Sequence, residues 1–177
     1  MSAYLISGVA GTGKSTLEGV FRNQGYATID TDFGYAHWLD RETRQLVAPP
    51  KNESAAWYAK NDWYTNLPKL EEKVRSHIAN TEEPLLVFGN TADLYTTYPL
   101  FKKVFLLEYR DEAHIKDRIF SRTTNDYGKD PVELALLMSY YKPMQETFRS
   151  IGAIPIDCFT PLNEVVQFIK DSIAHDA

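Results

Sequence analysis

Gly8-Val9-Ala10-Gly11-Thr12-Gly13-Lys14-Ser15 is the stretch from which the rest of the chain is read. Glycine, four residues, glycine, lysine and a hydroxyl side chain is the spacing of a loop that wraps a phosphate chain. The glycines let the backbone take positive φ and curl closely around an anion. Curling turns successive N–H groups inward, and a helix opening at the end of the loop adds its positive pole. In such a loop Lys14 reaches the β- and γ-phosphates, and the Ser15 hydroxyl is a ligand for Mg²⁺. Thr16 continues the run into the helix. The flanks agree with this reading. Ala3–Ser7 is a short apolar strand candidate that runs straight into Gly8, and Leu17, Val20 and Phe21 recur at helical spacing between Lys14 and Asn23. A glycine-rich turn with no ligand is the competing reading. The loop implies a nucleoside triphosphate and Mg²⁺, and is silent on what is done with them.

Outward from the loop, short apolar runs alternate with amphipathic stretches. Tyr26–Asp30, Leu85–Phe88, Val104–Leu107 and Ala153–Asp157 read as four more strands, the last an edge strand because Pro155 cannot donate to a ladder. Leu67, Leu70, Val74 and Ile78 make a helical stripe ending near Asn80. Asp130-Pro131-Val132-Glu133 and Thr160-Pro161 have the cap-then-proline form of helix starts, and Pro143 is expected to kink or stop the helix that begins at Asp130. Strands alternating with helices predict a mostly parallel sheet. The segment from about 47 to 80 breaks the alternation and reads as a helical insertion between the second and third strands.

Composition narrows the rest. A chain of 177 residues predicts a single domain, 1–177. The net charge of −5 argues against a nucleic-acid-coating protein. One cysteine, Cys158, leaves no intramolecular disulfide and no multi-thiolate zinc site. No run approaches a membrane-spanning length, so no membrane association is expected. The first residues lack the layout of a signal peptide, which leaves a reducing cytoplasm as the expected compartment.

Ile6-Ser7-Gly8-Val9-Ala10-Gly11-Thr12-Gly13-Lys14-Ser15-Thr16 resembles the opening of a gluconate kinase, and the order of elements is similar to that of the small P-loop kinases, the group of gluconate, shikimate and adenylate kinases. The resemblance covers nearly the whole chain in element order but only short segments in sequence. It implies a three-layer α/β P-loop NTPase fold, a five-stranded, mostly parallel sheet with helices on both faces. It also implies a substrate-covering insertion after the second strand and a mobile lid, here 122–130, a polar, turn-rich stretch. Asp30 and Asp32 project to one side of an extended chain and, at the carboxyl ends of parallel strands, face the ligand crevice. By the resemblance, Asp30 helps hold Mg²⁺, while Asp32 holds the acceptor hydroxyl and takes its proton. The alternative for Asp32 is a cap on a following helix. Arg118 and Arg122, at i and i+4 on a predicted helix, share a face and lack acidic partners on it. In similar kinases two such arginines straddle the phosphates. Their alternative is a solvated basic face.

Where many P-loop enzymes carry an acid at the end of the third strand, this chain has Phe88-Gly89-Asn90-Thr91, and the nearest acid is Asp93. Gluconate- and shikimate-kinase-like proteins share that lack, and no guanine-recognition motif is found. Trp57, Tyr58, Trp63 and Tyr64, with Tyr35, His37 and Trp38 upstream, offer either stacking faces for a ring or plain packing for the insertion. Arg41 and Arg44 read either as partners for an anionic acceptor or, with Asp40 and Glu42, as a solvated helix face. The expectation is therefore an ATP- and Mg²⁺-dependent phosphotransferase acting on a small-molecule acceptor. The competing class is a nucleotide-binding switch or regulatory ATPase or GTPase without such an acceptor.

Overall fold

In the computed structural model, which describes residues 2–51, 53–123 and 126–175, the five apolar runs lie side by side as one sheet. The strands are β1 (Ala3–Ser7), β2 (Ala27–Asp30), β5 (Leu85–Gly89), β6 (Lys103–Glu108) and β7 (Ile154–Asp157). All pair in parallel, in the order β2-β5-β1-β6-β7. Strands covered on both faces have no polar side to show, which is why β1 and β5 are buried along their whole length. Proline is tolerated in β7 because that strand is an edge, paired only through β6.

The period-2 alternation of each strand sorts its side chains into two cores. Leu5, Val87 and Leu106 point to one face, which helices α3 (Leu67–Asn80) and α5 (Pro131–Ser150) cover with Leu70, Val74 and Phe148. Tyr4, Ile6, Leu86, Phe88, Phe105 and Leu107 point to the other. There α1 (Lys14–Asn23) and α6 (Leu162–Ala174) bring Leu17, Phe21, Val165, Val166 and Ile169. Each large apolar side chain fully buried in these layers contributes about 1.5–3 kcal/mol. A third cluster, Val9, Tyr109, Ile115, Ile119, Leu137 and Tyr141, packs α4 (Glu112–Ser121) and α5 beneath the loop that follows β1. No described helix is long and apolar enough to cross a membrane.

Three local expectations need correction. The segment 47–80 is helical only in part. Helix α2 (Ala55–Lys60) is followed by a strand, β4 (Asn61–Thr65), which pairs antiparallel with β3 (Ala36–Asp40), placing Trp38 opposite Trp63 and His37 opposite Tyr64. Cross-strand aromatic pairs stabilise such a ribbon. Of the two outcomes expected at Pro143, the stop is overturned: helix α5 runs on through it to Ser150. Tyr141 before the proline and Gln145 and Phe148 after it are all buried, and that packing outweighs the roughly 3 kcal/mol an interior proline costs. Finally, α6 is entered through Pro161 itself with no side-chain cap, while the Thr160 amide donates to the Asp157 carbonyl. The Asp130 cap is as read: its carboxylate accepts from the Val132 amide at 2.8 Å.

Candidate active site

The carboxyl ends of the parallel strands are where an open α/β sheet holds a ligand, and the loop after β1 is built there. Gly13 enters α1 in the left-handed conformation without a side-chain cap, so the first-turn amides remain available to an anion. Gly11 has φ +84°, and a Cβ there would sit 2.5 Å from the Tyr109 hydroxyl. That hydroxyl donates to the Ala10 carbonyl at 3.3 Å, so the loop rests on Tyr109. Thr12 closes the turn, its hydroxyl donating to the Val9 carbonyl at 2.9 Å. Lys14 Nζ lies against its own loop, donating to the carbonyls of Gly8 at 2.5 Å and Val9 at 3.1 Å. Burial lowers its pKa to about 8, against the charges of Asp32 and Asp30, which favour the ammonium. Ser15 and Thr16 are exposed and line a cleft of about 1050 Å³ that Gly11, Gly13 and Lys14 also line.

Asp30 ends β2, and its Oδ1 accepts from the Asp32 amide at 3.0 Å. Burial raises its pKa; the amide bond opposes this and the nearby Asp32 charge adds to it. A nearby cation would reverse that shift and restore the ionised form; Ser15 lines the cleft, whereas Asp30 is not among its lining residues. No helix follows Asp32, so it caps none; the chain turns instead into β3. Its Oδ1 accepts from the indole Nε1 of Trp63 at 2.9 Å.

The two arginines separate. Arg118 lies on α4, while Arg122 lies one residue past its end with extended backbone, so the expected shared helical face is not formed. Arg118 Nη2 donates to the Cys158 carbonyl at 2.6 Å, and its guanidinium lies 5.1 Å from the Phe159 ring centroid. Arg122 Nη2 donates to the Tyr127 carbonyl. Burial lowers the pKa of Arg122, and its charge acts on Lys14. Both arginines line the cleft, Arg118 toward the loop after β7 and Arg122 toward 122–130. Thr124 and Asn125 of that stretch lie outside the described residues. Glu133 ties the stretch to the insertion, accepting from the Gly128 amide at 2.7 Å and from the Tyr58 hydroxyl at 3.4 Å. Burial pushes the Cys158 thiol up to about 12, which fits an unreactive side chain.

The far half of the cleft is lined by Trp38, Arg41, Asn61, Asp62 and Trp63 from the ribbon, with Asn90 and Thr91 from the end of β5. Trp38 is the hub of the aromatic group, 4.8 Å from Trp57, 5.9 Å from Tyr58 and 5.3 Å from Trp63. Arg41 pairs with Asp62 at 3.1 Å rather than with Asp40, whose carboxylate caps a turn at Glu42 and Thr43. Burial raises the pKa of Asp62, and Arg41 opposes that shift. Asp93 anchors the ribbon to the sheet, accepting from the Thr65 amide at 2.9 Å and the Thr91 hydroxyl at 3.1 Å. Sequence reasoning passed over Trp63 as the partner of Asp32, and Asp62 altogether. The one signal available was the strand-forming run Trp63-Tyr64-Thr65.

The sheet order, the loop and the cleft together define the P-loop α/β fold in the form found in small kinases. No protein-family model matches the sequence, and no curated protein does. Solved structures do. A shikimate kinase from Acinetobacter baumannii, in complex with shikimate, has a TM-score of 0.58 at 15% identity, covering 99% of this chain and 94% of that one. A deoxyadenosine kinase from M. mycoides with bound dATP has a TM-score of 0.53 at 14% identity, over 98% and 100%. A gluconokinase from Sinorhizobium meliloti has a TM-score of 0.51 at 20% identity, over 94% and 87%.

Proposed function

We propose that the protein transfers the γ-phosphoryl group of ATP to a hydroxyl of a small molecule. The observation that carries this reading is that Lys14 and Asp32 line one cleft, large enough for two ligands side by side. A pure nucleotide switch needs no second half to its pocket. The loop amides from Gly8 to Thr16 and Lys14 hold the triphosphate tail. Arg118 sits where it packs against the nucleoside end beside Phe159, and Arg122 closes over the phosphates with the lid 122–130. Ser15 and Asp30 would hold Mg²⁺, which when bound neutralises charge on the β- and γ-phosphoryl oxygens. Asp32, with one oxygen fixed by Trp63, takes the acceptor's proton on the other. The new bond joins the acceptor oxygen to the γ-phosphorus, the bond from that phosphorus to the β–γ bridging oxygen breaks, and ADP leaves with the electron pair. Catalysis on this reading is positioning and charge stabilisation. The lid and the aromatic ribbon keep water from competing as acceptor.

The test is ATP consumption, with Mg²⁺, against a pool of nucleosides, nucleotides, sugars and sugar acids. Loss of ATP that depends on the pool and yields a phosphorylated member is the expected result. Tight ATP binding with slow hydrolysis indifferent to the pool would overturn the kinase reading in favour of a switch.

A further inference from the structure

The acceptor half of the cleft has a charge balance that selects among hydroxyl compounds. Among the described residues the lining cations of the whole cleft are Lys14, Arg41, Arg118 and Arg122. Lys14 donates to the loop carbonyls, Arg118 to the Cys158 carbonyl and Arg122 to the Tyr127 carbonyl, and on the phosphoryl-transfer reading all three serve the nucleotide. Arg41 alone belongs to the acceptor side, and it is spent on Asp62 at 3.1 Å and on the Asn61 carbonyl at 3.4 Å. Arg44, whose charge also reaches Asp62, lies 3.8 Å over the Tyr64 ring. Asp62 thus takes up Arg41, while the Asp32 charge acts on Lys14. With the nucleotide engaging Lys14, Arg118 and Arg122, a carboxylate bound there would lose its hydration without gaining an unpaired cation, and would face the Asp32 charge. The remaining lining includes the half-buried rings of Trp38 and Trp63, 5.3 Å apart and inclined at 56°. Indole surfaces suit the C–H face of a saturated ring, and the surrounding amide and carboxylate groups suit its hydroxyls.

Resting on the phosphoryl-transfer reading, we infer that the acceptor is an uncharged, ring-shaped polyol, a free sugar or the sugar of a nucleoside, and that Asp62 excludes anionic acceptors by occupying Arg41. Asp62 is then a specificity-determining residue. Freeing Arg41 admits the anion.

The test uses the full chain with ATP, Mg²⁺ and matched pairs: glucose with glucuronate, methyl shikimate with shikimate, and a nucleoside with its 5′-monophosphate. In every pair that reacts, the neutral member is expected to have the larger kcat/KM, by about tenfold or more. Asp62→Asn is expected to shrink that ratio by about tenfold, with circular dichroism and ATP affinity confirming that the variant is folded. The sugar and nucleoside arms separate the two sources of the polyol. Equilibrium quenching of Trp38 and Trp63 fluorescence reads the same preference without turnover. An anionic member favoured in any pair, an unchanged ratio in Asp62→Asn, or no quenching by any neutral member would overturn the inference. Preferential turnover of an anionic acceptor would overturn it while upholding the kinase reading, whereas failure to bind ATP in calorimetry would remove the kinase reading itself.

Discussion

The two halves of the cleft are built on different plans. The nucleotide half is one contiguous loop and the first turn of one helix, seated on a central strand buried on both faces. Its geometry is enforced by neighbours in sequence and, from beneath, by the Tyr109 hydroxyl under Gly11 and the cluster of Ile115, Ile119, Leu137 and Tyr141 around Val9. The acceptor half is assembled across the chain. Asp32 is held by Trp63, 31 residues away. Arg41 is held by Asp62, and the ribbon is tied to the segment after β5 through Thr91, Ala92 and Asp93. A contiguous loop carries the same chemistry wherever it recurs. A site assembled from an insertion can be retuned by changing that insertion alone, without disturbing the strands that hold the loop. On the proposed reading the first half is therefore generic to triphosphates and the second individual to this chain.

The largest expected effect comes from cutting the generic half. Lys14→Ala removes the one ammonium on the loop and is expected to cost about 10²–10³-fold in kcat, in proportion to a preorganised donor lost from the transferring phosphoryl group. The fold should not notice. Lys14 contacts only carbonyls of its own loop and is held there with its charge disfavoured by burial. Phosphoryl-transfer assays beside a thermal melt separate the two outcomes. Wild-type turnover from this variant would break the division of labour altogether.

A smaller effect sharpens the comparison from the other side. Trp63→Phe keeps a ring in the ribbon but removes the N–H that fixes Asp32 Oδ1. A hydrogen bond to a charged group is worth about 1.5–3 kcal/mol, so acceptor turnover is expected to fall by about 10- to 150-fold. The KM for ATP should stay where it is, because no loop residue touches the indole hydrogen bond. Steady-state kinetics varying ATP and acceptor separately check this. A matching rise in the KM for ATP would mean that the halves are not independent.

The same difference explains what the sequence disclosed. β1 and α1 are found where they were read, because an apolar run meeting a glycine motif is a local signal and parallel-sheet strands need no partner to look like strands. β3 was invisible. In Ala36-His37-Trp38-Leu39-Asp40 the apolar alternation is weak, and only pairing with Asn61–Thr65, more than twenty residues on, makes it a strand. Asp32 could be weighed as a helix cap only while the next element was unknown. Arg122 was placed on a helix because helix ends depend on tertiary packing, and α4 stops at Ser121, one residue short. The Arg41–Asp62 pair depends on the ribbon's register, which a slip of one residue would destroy.

The smallest effect is one of pH, and it belongs to the nucleotide half alone. In the free protein burial holds the Lys14 ammonium to a pKa of about 8, below the unfolded value of roughly 10.4. A bound triphosphate favours the charged form and raises that pKa. Below about pH 7 the lysine is already protonated and ATP affinity is flat in this group. At pH 8 half of the free molecules are neutral, so affinity is expected to be about half its pH 7 value, and to fall further as pH rises. Calorimetry near pH 8 should show proton uptake on binding, visible as heat that changes with the ionisation enthalpy of the buffer. Stability runs the opposite way. Between about pH 8 and 10.4 the unfolded chain binds a proton at Lys14 that the folded chain does not, so this group makes the free protein more stable as pH rises through that window. Falling ATP affinity with rising stability over one pH range is a signature that general alkaline damage cannot mimic. Acceptor quenching of the ribbon tryptophans should change far less across it, since Lys14 is linked to that half only through the Asp32 charge.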